Sequence, residues 1–195
     1  MDPIGKIEVI IGPMYSGKTT ELMRRINRLK FTKKKIIEVR YGDDLIDITH
    51  DNNQKRGKKI KLLSEVYNEV IDCGYNVIAI DEGQFILDLV EYCETFANKY
   101  NMIVLVAGLD CDYKRNPFQN ICNLIAKAES VTKLTAICCL CGSENGSFSH
   151  RIVNENKIEL IGTMYKACCR KCYFILESEK LKHIPDHQNN CVPNK

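Results

Sequence analysis

The sequence predicts an α/β protein: a doubly wound, mostly parallel sheet around a phosphate-binding loop, followed by a small cysteine-rich domain. Three observations lead there. Short apolar runs alternate with helix-period segments through the first 137 residues, the pattern of parallel strands joined by covering helices. One such run passes through a glycine-bearing loop straight into a helix. Cysteines then crowd the chain from Cys138 onward, where the helical periodicity fades.

The elements follow in order. Lys6 to Ile11 reads as a buried strand and Gly12 to Thr19 as a loop. Thr20 to Lys30 reads as a helix, with Leu22, Met23, Ile26 and Leu29 at helical spacing. Lys35 to Tyr41 is a second strand, and Gly42 to Lys61 a flexible basic loop carrying Lys55, Arg56, Lys58, Lys59 and Lys61. Leu62 to Cys73 is helical and ends at Gly74; Tyr75 to Asp81 is a buried strand ending in a carboxylate. Ile86 to Tyr100 is a helix, Met102 to Leu109 a strand, Asn120 to Ala128 a helix and Lys133 to Ile137 a last strand. Three regions result: an alternating α/β domain over 1–137, a cysteine-rich domain over 138–177 and a flexible tail over 178–195.

Composition narrows the class. The chain has 195 residues, 45% hydrophobic and 27% charged, which excludes a disordered chain, a collagen and a coiled-coil rod. A net charge of +3 is too mild to indicate a nucleic-acid partner. Met1 to Glu8 carries Asp2, Lys6 and Glu8 where a secretory signal needs an apolar core, and Met102 to Leu109 is far short of the ~20 residues of a membrane span. A soluble, cytoplasmic protein with reduced thiols is expected, and in that setting 11 clustered and scattered cysteines suggest metal before disulfides.

Gly12-Pro13-Met14-Tyr15-Ser16-Gly17-Lys18-Thr19 satisfies G-x-x-x-x-G-K-[ST] in its strand-to-helix context. Its backbone N–H groups and the helix N-terminus face the anion, Lys18 adds a point charge and Thr19 a hydroxyl for Mg²⁺. Asp81, at the end of an apolar strand, suits the water shell of that Mg²⁺. Glu82 beside it is free to accept a hydroxyl proton, and Gly83 and Gln84 continue the phosphate side.

Cys138 with Cys141, and Cys169 with Cys172, form two C-x-x-C pairs, the donor set of a four-thiolate structural zinc site. Cys139 and Cys168 compete as ligands but break the two-residue spacing. The segment between the pairs is longer than the ~15–20 residues of a short zinc ribbon, so a long loop hangs between the knuckles.

The phosphate loop, Asp81-Glu82-Gly83-Gln84-Phe85 and the paired knuckles together resemble the type II thymidine kinase family, the cytosolic and poxvirus-like kind. Thr49-His50-Asp51, Ala107-Gly108-Leu109-Asp110, Pro117-Phe118, Lys133-Leu134-Thr135-Ala136 and Cys169-Arg170-Lys171-Cys172-Tyr173 fit it as well. The resemblance implies ATP-dependent phosphorylation of the thymidine 5′-hydroxyl to dTMP, a step in DNA precursor synthesis. Glu82 takes the position of the family's catalytic base. The base pocket maps to Met14, Phe85, Leu109, Tyr113 and Phe118. The zinc-anchored loop becomes a lasso over the nucleoside, its backbone meeting the thymine edge at Ile158, Glu159, Leu160, Ile161 and Gly162, with Ser149 and Tyr165 nearby. The cofactors implied are ATP, Mg²⁺ and a structural Zn²⁺, and the assembly implied is a homotetramer. The chain departs from the family at Asp43-Asp44-Leu45-Ile46-Asp47, where an Asp-x-Arg usually stands, and its Gly162-Thr163-Met164-Tyr165 lacks the usual Gly-Gly pair.

Two other classes compete. A P-loop NTPase that hydrolyses its nucleotide needs a water-positioning residue, for which Gln84 is the candidate; a catalytically weakened paralogue that binds nucleotide is the alternative raised by the missing Asp-x-Arg arginine. A zinc-ribbon nucleic-acid module would use Lys33-Lys34-Lys35 and Lys55 to Lys61, but few aromatics are interleaved there for base stacking.

Overall fold

The computed structural model describes residues 5–42, 57–152 and 164–182. Six parallel strands form one sheet in the order β3-β2-β4-β5-β1-β6: β1 Lys6–Ile11, β2 Ile36–Tyr41, β3 Lys58–Ile60, β4 Val77–Asp81, β5 Ile103–Gly108 and β6 Ser130–Lys133. The central strands are apolar throughout because both faces are covered, and Val9, Ile78, Ile80, Val104 and Val106 are completely buried. Among the described residues helix α1 (Lys18–Lys30) alone covers one face, burying Leu22 and Ile26 against Ile10, Val77, Ala79 and Leu105. The opposite face takes α2 (Tyr67–Asp72), α3 (Leu89–Tyr100) and α4 (Gln119–Ile125), through Val70, Leu89, Cys93, Phe96, Ile121 and Leu124. This two-sided covering is the doubly wound arrangement expected.

A smaller unit follows. Strands β7 (Phe148–Arg151) and β8 (Tyr165–Cys168) pair antiparallel, and α5 (Arg170–Lys182) packs on them. Its small core is Cys138, Cys168, Cys172 and Tyr173.

Several expected elements differ, each for a physical reason. The basic loop expected over 42–61 ends in a strand, β3, paired parallel with β2 from Val39↔Lys58 to Tyr41↔Ile60. A three-residue edge strand with only Ile60 buried reads as polar loop, since short and charged is how sheet edges are protected. The helix expected over 62–73 is a 3-10 turn (Leu63–Glu65) followed by α2; Asp88 accepts Leu63 N–H at 2.8 Å and Ser64 N–H at 3.0 Å, fastening that turn from a distant part of the chain. The helix expected from Ile86 starts at Leu89, after a 3-10 turn over Gly83–Phe85. The last sheet strand is Ser130–Lys133, not Lys133–Ile137: this solvent-facing edge, in register from Glu8↔Ser130 to Ile11↔Lys133, needs no apolar alternation. Helix α5 runs to Lys182, beyond the 177 boundary expected for the tail. Residues 183–195 and residues 43–56, which hold Lys55 and Arg56 of the expected basic loop, lie outside the described residues.

Candidate active site

The site lies at the carboxyl ends of β1, β4 and β5, where ligands bind in open α/β sheets. After β1 the chain turns sharply at Gly12, where any Cβ would meet the Leu134 carbonyl oxygen at 2.6 Å and Ser16 Oγ at 2.7 Å. Gly17 is left-handed (φ 81°) at the start of α1, a conformation that costs glycine nothing. The loop is closed by Ser16 N–H and Ser16 Oγ, both donating to the Pro13 carbonyl. Lys18 Nζ donates to the same carbonyl at 2.7 Å, so its charge lies inside the loop's curve. Burial pushes the Lys18 ammonium below its usual range, against the opposing pull of Glu82, Asp81 and Asp110. A half-buried cation facing carboxylates is a charge poised for a polyanion.

Helix α1 is held to the sheet electrostatically. Arg25 donates to Glu21 and Glu8, and to the Thr132 hydroxyl on β6, so one guanidinium ties the helix to two strands. Thr19, in the first turn, donates to Asp81 Oδ2 at 2.8 Å, joining the loop to the end of β4. A hydroxyl and a carboxylate so paired are the oxygen donors a hard cation requires.

Glu82 follows in a left-handed conformation (φ 56°, ψ 36°), and its N–H donates to Asp81 Oδ1 at 3.0 Å. A non-glycine residue there is strained by about 1 kcal/mol or more and persists only when its surroundings hold it. Two side chains do so. Gln84 Nε2 donates to Glu82 Oε2 at 2.8 Å, while Gln84 Oε1 accepts the Leu109 N–H at 3.0 Å. Asn120 Nδ2 reaches the carbonyls of Gly83, Gln84 and Ile86 at 3.2, 3.1 and 2.9 Å. Gln84, expected on the phosphate side, thus has its amide between Glu82 and the end of β5.

Phe85 stacks edge-on against Phe118 (5.8 Å between centroids) and tilts against Tyr41 (5.2 Å). Phe85, Leu109, Tyr113, Phe118 and Met14 are all half-buried, with apolar surface still open to a partner. Met14 N–H donates to Ser149 Oγ at 2.9 Å, so the phosphate loop touches β7 of the smaller unit. Asp110, after Leu109, pairs with Lys133 at 2.7 Å. Ile158, Glu159, Leu160, Ile161 and Gly162 lie outside the described residues.

The second contact between the units was not visible in the sequence. Arg151 is 1% exposed, lies 3.8 Å over the Tyr113 ring and donates to the Tyr165 hydroxyl at 2.5 Å. Tyr173 of α5 donates to the Tyr113 carbonyl at 2.6 Å. Arg115, left-handed at φ 67°, lies over Phe174, Tyr173 and Phe148 at 4.5–5.8 Å. These arginines are spaced like ordinary surface residues, and their burial arises only when the two units meet.

The sulfur atoms of Cys138, Cys141, Cys169 and Cys172 all lie within 4.8 Å of one another, and those of Cys141 and Cys169 are 3.8 Å apart. A zinc with sulfurs at ~2.3 Å gives tetrahedral edges of about 3.8 Å, so the donors fit that ion with small adjustment. Burial raises the Cys138 thiol, but N–H groups of Cys169, Cys141 and Leu140 outweigh it and bring it down to about 6; Cys172 is pushed up by its hydrogen bond to Cys169 and by burial. Four thiols cannot all shed protons here without a cation among them. Cys139 and Cys168 are outside the group: Cys139 is exposed, and the Cys168 thiol turns to the Lys166 carbonyl.

Comparison with known proteins places the chain among relatives. The pattern of the family described as Thymidine kinase matches residues 5–173. The chain is 46% identical over 175 residues to the thymidine kinases of Monkeypox virus, Vaccinia virus (strain Ankara) and Variola virus (isolate Human/India/Ind3/1967). Each alignment covers 87% of this chain and 97% of the relative.

Proposed function

The chain belongs to the thymidine kinase family, and from that premise we propose how its residues phosphorylate thymidine. The reaction is transfer of a phosphoryl group from ATP to the thymidine 5′-hydroxyl, giving dTMP and ADP. The observation that carries the assignment of roles is the meeting of Lys18, Thr19, Asp81 and Glu82 at the ends of β1 and β4.

Each residue has a separate task. Backbone N–H groups from Gly12 to Thr19 and the Lys18 ammonium hold the phosphates. Thr19, and Asp81 through water, are the residues that would hold Mg²⁺, which when bound neutralises charge on the transferred group. Glu82 accepts the proton of the 5′-hydroxyl as the oxygen attacks phosphorus; its place beside Asp81 supports this. Because phosphoryl transfer needs little covalent help from the protein, most of the acceleration comes from position and charge. Met14, Phe85, Leu109, Tyr113 and Phe118 form the apolar surfaces for the pyrimidine, with Ser149 and Tyr165 beside them. Cys138, Cys141, Cys169 and Cys172 would hold a structural zinc that draws β8 and α5 onto the first knuckle. A homotetramer in the cytoplasm completes the reading. Among the described residues no helix is long and apolar enough to cross a membrane.

The test is a phosphoryl-transfer assay with ATP, Mg²⁺ and a panel of nucleosides, with water as control acceptor. Product on thymidine, with little on deoxycytidine or purine nucleosides, is expected. ATP hydrolysis without a nucleotide product would overturn the assignment.

A further inference from the structure

We propose that Gln84 is the positioning residue for the phosphoryl-transfer base, and that it couples Glu82 to the nucleoside pocket through the backbone of Leu109. The inference rests on the assignment of Glu82 as base. Three observations carry it: the polarity of the amide's two partners, its burial, and the bare surface it packs on.

The polarity admits one solution. Leu109 presents an N–H to one end of the amide and Glu82 a carboxylate oxygen to the other. A donor at one end and an acceptor at the other require an amide with its oxygen toward Leu109 and its nitrogen toward Glu82. Rotating the amide by half a turn would set its oxygen against a carboxylate. Glutamate supplies two acceptors, methionine supplies no donor, and asparagine is one methylene short. Among residues of this size, glutamine alone satisfies both partners.

Gln84 is 4% exposed, so its side of both hydrogen bonds is shielded from water. Gly108 makes the burial possible. A Cβ there would stand 2.9 Å from Gln84 Oε1, so the amide lies where any other residue would put a side chain. Asn120 then fixes the carbonyls of Gly83, Gln84 and Ile86, so the backbone that carries the amide cannot easily rotate away.

The consequence is mechanical. The carboxylate of Glu82 has two oxygens, and Gln84 holds Oε2, which orients the other. The far end of the same amide grips Leu109, which lies in the pocket that receives the base. A nucleoside pressing on Leu109 and a base awaiting its 5′-hydroxyl are therefore referenced to one rigid group. Gln84 itself takes no proton and touches no phosphate in this role.

The experiment compares kcat, and KM for thymidine and for ATP, from pH 5 to 9 in the wild-type protein and in Gln84→Met, Gln84→Glu and Glu82→Gln. Gln84→Met keeps length and volume but offers no donor; kcat is expected to fall about ten- to a hundred-fold, part of the ~10²–10⁴ that a general base contributes. KM for ATP should stay within about twofold. Loss of the N–H that stabilises the ionised Glu82 should also move the acidic limb of the Gln84→Met kcat profile upward, whereas a residue with only a structural role would lower activity equally at every pH. Gln84→Glu can donate to Glu82 as the amide does only while it is protonated, so its shortfall against wild type should grow as pH rises. Wild-type turnover in Gln84→Met, or a Gln84→Met acidic limb that does not move, would overturn the proposal. If Gln84→Met fails to fold, Gln84→Asn, which keeps the amide but falls one methylene short of its two partners, takes its place in the same comparison. Glu82→Gln separates the two levels of argument: an inactive Glu82→Gln beside unperturbed Gln84 variants refutes only the positioning role, whereas an active Glu82→Gln refutes the base assignment and this inference with it.

Discussion

Removal of the Asn120 side-chain amide tests how the strained segment after β4 is held. Its nitrogen lies 2.9–3.2 Å from three carbonyl oxygens, those of Gly83, Gln84 and Ile86. The group has two hydrogens, so it amounts to two full hydrogen bonds, one of them shared. Each contributes about 1 kcal/mol net, and leaving buried carbonyls unpaired adds to the loss. Asn120→Ala should therefore destabilise the protein by about 2–3 kcal/mol. At roughly 2–4 °C per kcal/mol for a chain of this size, Tm should fall by roughly 4–12 °C. Asn120→Asp is the sharper variant because it keeps the shape and reverses the polarity. Three carbonyl oxygens would face a carboxylate and raise its folded pKa above the ordinary ~3.9. The penalty should therefore be small below that value, where the protonated acid still donates one hydrogen bond, and grow as pH rises through the folded pKa. Thermal melts from pH 3 to 8 measure both variants. An Asn120→Ala shift under about 1 °C, or an Asn120→Asp penalty that does not change with pH, would show that the segment is held by something else.

The remaining predictions concern catalysis, the metal and the first helix. Glu82→Gln should lower turnover on thymidine by about 10²–10⁴ while leaving ATP binding nearly unchanged, because it removes the proton acceptor and keeps the shape; isothermal titration with a non-hydrolysable ATP analogue, beside the kinetics, checks both halves. Elemental analysis should find about one zinc per chain in the wild-type protein and almost none in Cys141→Ser, with the melt of the small unit lost well before ATP binding to the phosphate loop; full metal content in Cys141→Ser would refute the ligand set. Glu21 is held at about 2 by hydrogen bonds from Arg24 and then Arg25. A depressed carboxylate stabilises above its unfolded pKa and loses that contribution as pH falls through the folded value. The stability gap between wild type and Glu21→Gln should thus be present at pH 7, close between about pH 4.5 and 2, and shrink in high salt because the pair is near the surface. A gap unchanged at pH 2 would refute it.

What the sequence determined is whatever depends on near neighbours. Gly12 to Thr19 has its meaning in eight consecutive residues, because a backbone cradle and a helix start are local geometry. Val77 to Asp81 is readable because four buried residues before a carboxylate have no other common use than a central strand. The cysteine pairs are legible by their two-residue spacing, which sets Cys138 and Cys169 apart from their neighbours Cys139 and Cys168, and folding brings the same four sulfurs together. Edge strands escaped because half their surface faces water: β3 lies in a lysine-rich stretch, and β6 is mostly exposed.

What only the tertiary structure decided is pairing across distance. Ser149 accepts Met14 N–H from 135 residues away, Asn120 reaches the carbonyl of Gly83 from 37, and Leu109 meets Gln84 from 25. No periodicity marks such partners, because a hydrogen bond depends on where two groups end up in space, not on their separation along the chain. Arg151 is the extreme case. In the sequence it is a charged residue beside a loop; in the fold it is almost wholly buried, stacked on Tyr113 and bonded to Tyr165. A guanidinium tolerates that burial only where aromatic faces and a hydroxyl meet it together, and those groups come together only when β7 and β8 close against the end of the parallel sheet.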